Sequence, residues 1–316
     1  MSSVAEAGPA RAPVTITVSD LRHVYKGGTV ALDGVDLSFG TGLFGLLGPN
    51  GAGKSTLMRI MCTLLVPTNG TVNMGGHDVV SERQAVRGMI GYLPQEFGAW
   101  RLQRVEEVLD TLALLSGMRD KTVRRERTRA VLQQVGLDDV ADRKVKKLSG
   151  GMVRRLGVAQ ALIHEPQVLI VDEPTVGLDP QERLRFRQLM ASLGQDRTIV
   201  LSTHIVADLG SSCNDLALID AGKIVFRGSP AELMGQAKQR VFEVTVDAAG
   251  DARVQSGYEI VSRVRDGGTT RIRAVSRDGG MPPGAEVITD PTLEEAYLAF
   301  MAARGRADVA VTEEEE

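Results

Sequence analysis

"GLFGLLGPNGAGKSTLMRIMCTLL", residues 42–65, decides the fold. The apolar run at its start reads as a buried strand, and the glycine-rich centre reads as a turn. The remainder reads as a helix with Leu57, Ile60, Met61 and Leu64 on one face. Within it "GPNGAGKS", residues 48–55, matches the phosphate-loop pattern in full, between the strand and the helix that the pattern requires. Its glycines let backbone N–H groups turn inward around phosphates. Lys54 can reach the outer phosphates, and Ser55 can place a hydroxyl on Mg²⁺.

Working outward, "VLIVDEP", residues 168–174, is a second buried strand that delivers Asp172 and Glu173 at its C-terminal end. Ligands of parallel sheets collect there. Adjacent carboxylates can divide the labour: one holds Mg²⁺, and the next polarises an attacking water as general base. "VLSTH", residues 200–204, ends a third such strand with His204. Alone, a strand-end histidine is more often a hydrogen-bonded structural residue. With Lys54 and Glu173 at the same sheet edge, a γ-phosphate contact is the expectation. "KKLSGGMVRR", residues 146–155, is a puzzle. Ser149, Gly150 and Gly151 open a helix-like run as an anion-binding loop would, yet the lysine of a complete phosphate loop is missing.

Around these motifs, "VTITV" (14–18) and "VDLSF" (35–39) alternate as strands. From about Arg101 to Ala161 the pattern is helical, with basic runs such as "RRERTR". "RTIVLSTH" and "DLALIDAGKIVFRG" return to strands, the latter turning at Ala221-Gly222. The expected fold is an α/β P-loop NTPase core with an inserted helical subdomain, plus a small α+β C-terminal domain. The expected boundaries are a disordered tail at 1–13, a nucleotide-binding domain at 14–235 with its helical subdomain at about 97–165, an accessory domain at 236–304 and an acidic tail at 305–316. In the accessory part "VFEVTV" and "YEIVSRVRDGGTTRIRAV" read as strands, with a hairpin around Asp266-Gly267-Gly268. "DPTLEEAYLAFMAAR" reads as an amphipathic helix. Leu293, Ala296, Tyr297, Phe300 and Met301 share its face, started either by Asp290 or by Thr292 with Glu295. A piece of this size makes a small core, so packing against its neighbour or a twin is expected.

Bulk properties restrict the function. The 316 residues carry 37 basic and 40 acidic side chains, a net charge of −3 that argues neither for nor against nucleic acid on electrostatics alone. Cys62 and Cys213 are far apart and lack metal-ligand spacing, so both are expected as buried, reduced thiols. The start "MSSVAEAGPARAP" has no signal-peptide pattern, and no stretch is long and apolar enough to span a membrane. The six basic residues between Arg119 and Arg129 are expected on a solvated helix face, with lipid head groups or nucleic acid as alternatives.

In this order the motifs resemble those of the ATP-binding subunit of an ABC transporter, over roughly Arg22 to Gly228. "GPNGAGKST", comprising Gly48, Pro49, Asn50, Gly51, Ala52, Gly53, Lys54, Ser55 and Thr56, resembles the Walker A motif, and "VLIVDEPT" the Walker B motif. Gln95 in "GYLPQEFG" resembles the Q-loop glutamine, "LSGGM" the family signature, "GLDP" with Asp179 the D-loop, and His204 the switch histidine. Tyr25 resembles the aromatic that stacks on adenine. Taken singly, Tyr25 reads as a strand-edge aromatic, Gln95 as a loop amide and Asp179 as a helix cap. The family's signature ends in glutamine where this chain has Met152, which cannot donate a hydrogen bond.

The resemblance implies ATP sandwiched between two copies in head-to-tail symmetry. The signature Ser149, Gly150 and Gly151 of one copy then close over the phosphates held by Lys54 of the other. It implies Glu173, His204 and Gln95 as catalytic residues, with Mg²⁺ held by Ser55, Asp172 and Gln95. "DPTLEEAYLAF" and the methionine-containing signature resemble the branch of ABC-2-type exporters that includes daunorubicin-resistance-type drug exporters. That branch implies a separate transmembrane permease, a peripheral position on the inner face of the cell membrane, and cargo that is a drug, antibiotic or lipid-like compound. Trp100, the sole tryptophan, is expected either against the permease or packed within the helical subdomain. The alternatives are an ATPase acting on ribosomes or DNA, an importer ATPase, and a binding module that uses ATP as a switch. No nucleic-acid partner is expected.

Overall fold

The computed structural model describes residues 13–95, 98, 100–209 and 212–305. The tails expected to be disordered lie outside them, apart from Pro13 and Gly305. Contacts divide the chain between Arg227 and Gly228 into two units.

The first unit opens with β1 (Ile16–Val24), paired antiparallel with β2 (Val30–Phe39). Strand β3 (Gly42–Leu47) then leads through the phosphate loop into helix α1 (Lys54–Met61). Leu57, Ile60 and Met61 are buried as the helical spacing requires, but Leu64 is exposed. The helix stops at its C-cap Cys62, and Thr63 takes a φ of 60°, which turns the chain before Leu64 can reach the apolar face. Four short elements follow that the periodicity did not reveal: β4 (Asn69–Met74), β5 (His77–Asp78), α2 (Arg83–Met89) and β6 (Ile90–Leu93). The first two complete a four-stranded sheet in the order β2-β1-β4-β5.

The helical insert carries α3 (Val105–Leu115), α4 (Lys121–Gln134) and α5 (Gly150–Leu162). Its basic run is not simply a solvated face. Arg124 is buried and donates to Asp110 Oδ1 (2.8 Å) and to the Met118 (3.1 Å) and Arg119 (2.8 Å) carbonyls. Arg127 donates to the Leu162 (2.5 Å) and Ile163 (2.9 Å) carbonyls, satisfying acceptors at the end of α5. Two of the arginines therefore join helices. Trp100 is 42 % exposed, so full packing within the helical subdomain does not occur.

The unit ends with β7 (Val168–Asp172), α6 (Pro180–Leu193), β8 (Thr198–Thr203), β9 (Cys213–Asp220) and β10 (Lys223–Gly228). The six-stranded sheet has the order β10-β9-β3-β8-β7-β6. Strand β3 runs parallel to β8 and β9, and β7 runs parallel to β6 and β8. Such strands are covered on both faces, which is why β7 and β8 are buried along their whole length. The register sets Leu47 beside Thr203 and Asp172 beside Ser202. The phosphate loop, Glu173 and His204 therefore leave the sheet at one edge.

The second unit begins with α7 (Pro230–Ala237), so the boundary expected after residue 235 falls inside a helix. Ser229 and Glu232 form a capping box at its start, a signal the periodicity reading passed over. There follow β11 (Val241–Val246), α8 (Ala248–Gly257), β12 (Glu259–Asp266), β13 (Thr269–Val275), β14 (Glu286–Val287) and α9 (Leu293–Ala303). The antiparallel sheet has the order β12-β13-β11-β14, with the expected hairpin turning at Gly267, φ 59°. Helix α8 was not anticipated because its sequence lacks an apolar stripe; Asp247 starts it by accepting from Gly250 N at 2.8 Å. The unit has its own small core of Phe242, Val244, Val254, Ile272 and Ala274. Thr292, not Asp290, caps α9, with Glu295 completing the capping box. Ala296, Tyr297 and Met301 of the expected face are buried.

Candidate active site

The phosphate loop is a backbone structure. Gly51 and Gly53 have φ of 79° and 110°, values that side chains disfavour. A Cβ at Gly48 would stand 2.2 Å from Ile219 O, and one at Gly53 would stand 2.4 Å from Ala31 O. Helix α1 begins at Gly53 with no side-chain cap and no acidic residue in its first turn. Its free N–H groups and positive dipole end are left for an anion. Ser55 is exposed at that turn, as are Asn50 and Gly51 beside it, while Ala52 is buried.

Lys54 is 4 % exposed and folds back onto its own loop, donating to Gly48 O at 2.7 Å and Pro49 O at 3.1 Å. Its Nζ also stands 3.2 Å from Glu173 Oε1. Glu173, itself 5 % exposed, is the meeting point of the site. Gln95 Nε2 donates to Glu173 Oε2 at 3.4 Å. His204 Nδ1 lies 3.2 Å from the same oxygen, within ion-pair reach but without the alignment of a hydrogen bond. Glu173 has a φ of 44°, unusual for a residue with a side chain, and its N–H donates to Ser202 O (3.1 Å) and Ser202 Oγ (3.2 Å). Asp172 is 2 % exposed, and its Oδ1 accepts from the Ser202 hydroxyl.

Tyr25 lies just past β1, with its hydroxyl 3.0 Å from Thr56 Oγ1 and its ring edge-on to His23 at 4.7 Å. That contact holds a partly exposed aromatic face beside the start of α1. Asp179 caps α6, accepting from Glu182 N at 2.9 Å. Ser149 caps α5 by accepting from Met152 N at 3.2 Å, which leaves its own O–H free to donate. Ser149 and Gly150 are exposed, and Gly151 is buried. The side chains that meet Glu173 are those of Lys54, Gln95 and His204, none of them from the signature. Gln95 and Gly150 face one open cleft of about 640 Å³ together with Arg154, Val176, Gly177 and Leu178.

Sequence reasoning missed Ser202, which serves Asp172 and Glu173 together, and Glu182, which covers Gly151. A Cβ at Gly151 would lie 2.1 Å from Glu182 Oε2. The unbroken Ser-Thr-His run at the end of β8 was the only local signal for the first. Nothing local marks the second.

No group of three His, Cys, Asp or Glu side chains suited to a metal occurs among the described residues. Mg²⁺ is typically held by one or two carboxylates together with substrate phosphates, so the buried Asp172 and exposed Ser55 suit it as a nucleotide-borne ion.

A phosphate loop after β3 of this sheet, with paired carboxylates at the end of β7, one strand beyond the intervening β8, defines a P-loop ATPase. The family model for ABC transporter proteins matches residues 32–176. The chain is 38 % identical over 312 residues to the daunorubicin resistance ATP-binding protein DrrA3 of Streptomyces coeruleorubidus, covering 91 % of this chain and 96 % of that one. It is 38 % identical over 234 residues to the Nod factor export ATP-binding protein I of Cupriavidus pinatubonensis, 72 % of each chain. Among solved structures it resembles cbiO1 of Clostridium perfringens, part of the ABC transporter complex cbiONQ, with a TM-score of 0.64, 27 % identity, and 70 % of this chain and 90 % of that one covered. It also resembles the dimeric post-hydrolysis state of the ATP-binding cassette MJ0796 bound to ADP and Pi, with a TM-score of 0.61, 25 % identity, and 68 % and 98 % covered. The chain belongs to the ABC transporter family, as an ATP-binding subunit that hydrolyses ATP to power transport. Among the described residues no helix is long and apolar enough to cross a membrane.

Proposed function

We propose that this chain is the ATPase of an exporter, working as a pair of copies against a separate membrane permease at the inner face of the cell membrane. The full-length match to a daunorubicin resistance ATP-binding protein supports a drug, antibiotic or lipid-like cargo, since it extends through the second unit as well as the first. The dimeric post-hydrolysis cassette supports the pairing. The signature loop fits this reading because it is only part of a phosphate site. Ser149 retains a donor hydroxyl, and Gly150 presents an exposed backbone at the start of α5. These would close over ATP held by the Lys54 loop of the partner copy. Met152 contributes no donor, so recognition rests on Ser149 and the backbone. Exposed Trp100 suits contact with a cytoplasmic helix of the permease.

The observation that carries the hydrolytic reading is the convergence of Lys54, Gln95 and His204 on the Glu173 carboxylate. When ATP draws Lys54 to its phosphates, Glu173 is released to accept a proton from the attacking water. Gln95 and His204 orient that water and the γ-phosphate. Tyr25 offers its ring to the adenine. Asp179 holds the start of α6 in place beside the dimer contact. Ser55, Asp172 and Gln95 would hold Mg²⁺. When bound, that ion offsets the charge that develops on the phosphoryl oxygens.

The test is Glu173→Gln in the full chain. Turnover should fall on the order of 10²–10⁴-fold, the range of a lost general base. ATP binding should persist, and size-exclusion with light scattering should show an ATP-dependent dimer. A variant that stays monomeric and turns over normally overturns the reading.

A further inference from the structure

The last two residues of β8 and the residue after it are three successive polar side chains, and each reaches a different carboxylate. Ser202 meets Asp172, and His204 meets Glu173. Thr203 donates its hydroxyl to Asp208 Oδ2 at 3.0 Å. Thr175, two residues past Glu173, donates to the same oxygen. Asp208 is 3 % exposed, and both threonines are 1 % exposed. A carboxylate at such depth is costly unless its oxygens are satisfied, and apolar side chains of similar volume often stabilise as well. Stability alone therefore gives no reason for an acid at this point.

The turn that carries Asp208, Val206–Asp208, is fixed from several sides. Asp208 N donates to Ile205 O at 3.1 Å, and Arg187 of α6 donates to Ala207 O at 2.7 Å. The next residue, Leu209, fills the space over Gly45 of β3, where a Cβ would come within 2.7 Å of Leu209 Cδ2. On the other side Thr175 O accepts from Leu178 N at 3.1 Å. Between these anchors stands Glu173 with its φ of 44°. Such a conformation persists only where the surroundings over-determine it.

We infer that Asp208 is a positioning residue for ATP hydrolysis: by holding Thr175 and Thr203 on one oxygen, it sets Glu173 and His204 in register with each other. The inference rests on Glu173 being the base, as proposed above. Asp208 touches neither substrate nor the reacting atoms, so its removal acts on geometry. Misplacement by about 1 Å can cost on the order of 10²-fold in rate.

Steady-state ATPase assays and ATP titration calorimetry on the full chain test this. Asp208→Ala should lower kcat on the order of 10²-fold while KM and the ATP dissociation constant hold. Asp208→Asn keeps an acceptor where the two hydroxyls converge and should recover most of kcat. Thr203→Val removes one arm, together with the oxygen that accepts from Ile205 N at 2.9 Å, with little change of shape and leaves Asp208 in place, so it reports even if Asp208→Ala does not fold. It should lower kcat in the same sense, and should add little on top of Asp208→Ala. Unchanged kcat in both Asp208→Ala and Thr203→Val overturns the inference. So does a loss that tracks ATP binding and that Asp208→Asn does not recover. Glu173→Gln is assayed in parallel. Normal turnover there removes the base assignment, whereas its loss beside normal Asp208 and Thr203 variants removes only the positioning role.

Discussion

Lys54 Nζ and Glu173 Oε1 stand 3.2 Å apart, and both side chains are almost wholly buried. The proposed phosphate-binding lysine and the proposed base are thus each other's counter-ion. Lys54→Ala should remove ATP binding in a calorimetric titration. It should also destabilise the nucleotide-free chain by about 3 kcal/mol, because a buried carboxylate loses its partner. Adding Glu173→Gln should return much of that stability in a thermal melt without restoring binding. An unchanged melting temperature for Lys54→Ala would show that the pair has no energetic weight.

Gly151 has no room for a side chain. The Cβ of an alanine would meet Glu182 Oε2 at 2.1 Å and Cγ at 2.6 Å, so the whole glutamate must move. That glutamate pairs with Arg155 at 3.6 Å and Arg185 at 2.7 Å. Gly151→Ala should cost about 1–3 kcal/mol by overpacking. In a double-mutant cycle with Glu182→Ala the losses should be less than additive, since the second change removes the clash. Strict additivity would contradict this account.

Glu295 joins α9 to the sheet of the second unit. It is 2 % exposed, accepts from Thr292 N at 2.7 Å, and takes both Arg273 Nε and, at 3.0 Å, a terminal guanidinium nitrogen. Glu295→Ala should destabilise this unit by about 2–4 kcal/mol, discounted because Arg273 is partly exposed. Glu295→Gln should cost less, because it keeps the acceptor for Thr292. Hydrogen exchange of α9 in the full chain reads the effect. Equal protection in all three proteins would refute it.

Both cysteines are free and buried. Burial pushes the Cys213 thiol up from 9.0 to about 11 and raises Cys62 further. The neutral thiol is the favoured form in the folded chain, so little thiolate is present at pH 8. A disulfide reagent should label neither cysteine at that pH until the chain unfolds. Because folding raises the Cys213 thiol, its stability contribution is intact below the ordinary thiol pKa and is lost as pH rises from 9.0 toward about 11. Rapid labelling of the folded protein at pH 8 would contradict the burial of both thiols.

Much of the site was legible because its chemistry is local. The glycines and Lys54 of the phosphate loop, and Asp172-Glu173 at a strand end, carry their meaning in spacing. Sequence-distant satisfaction was not legible. Arg124 and Arg127 read as surface charge because Asp110, which Arg124 meets, and the Leu162 and Ile163 carbonyls, which Arg127 meets, belong to other helices or their ends. Leu64 read as helix interior because periodicity does not report where Thr63 reverses the chain. Helix α8 was invisible because short elements with little apolar stripe are held by their neighbours.

By itself, then, the sequence determined the strand–loop–helix around Lys54, the order of the motifs and the family they define. Those depend on backbone freedom at glycine and on side-chain periodicity, which act within a few residues. Only the tertiary structure decided that Glu173 meets Lys54, Gln95 and His204 together, and that one oxygen of Asp208 holds Thr175 and Thr203. Parallel pairing brings β3, β7 and β8 to one edge, and the register between strands far apart in the chain is set by the packing of the whole sheet.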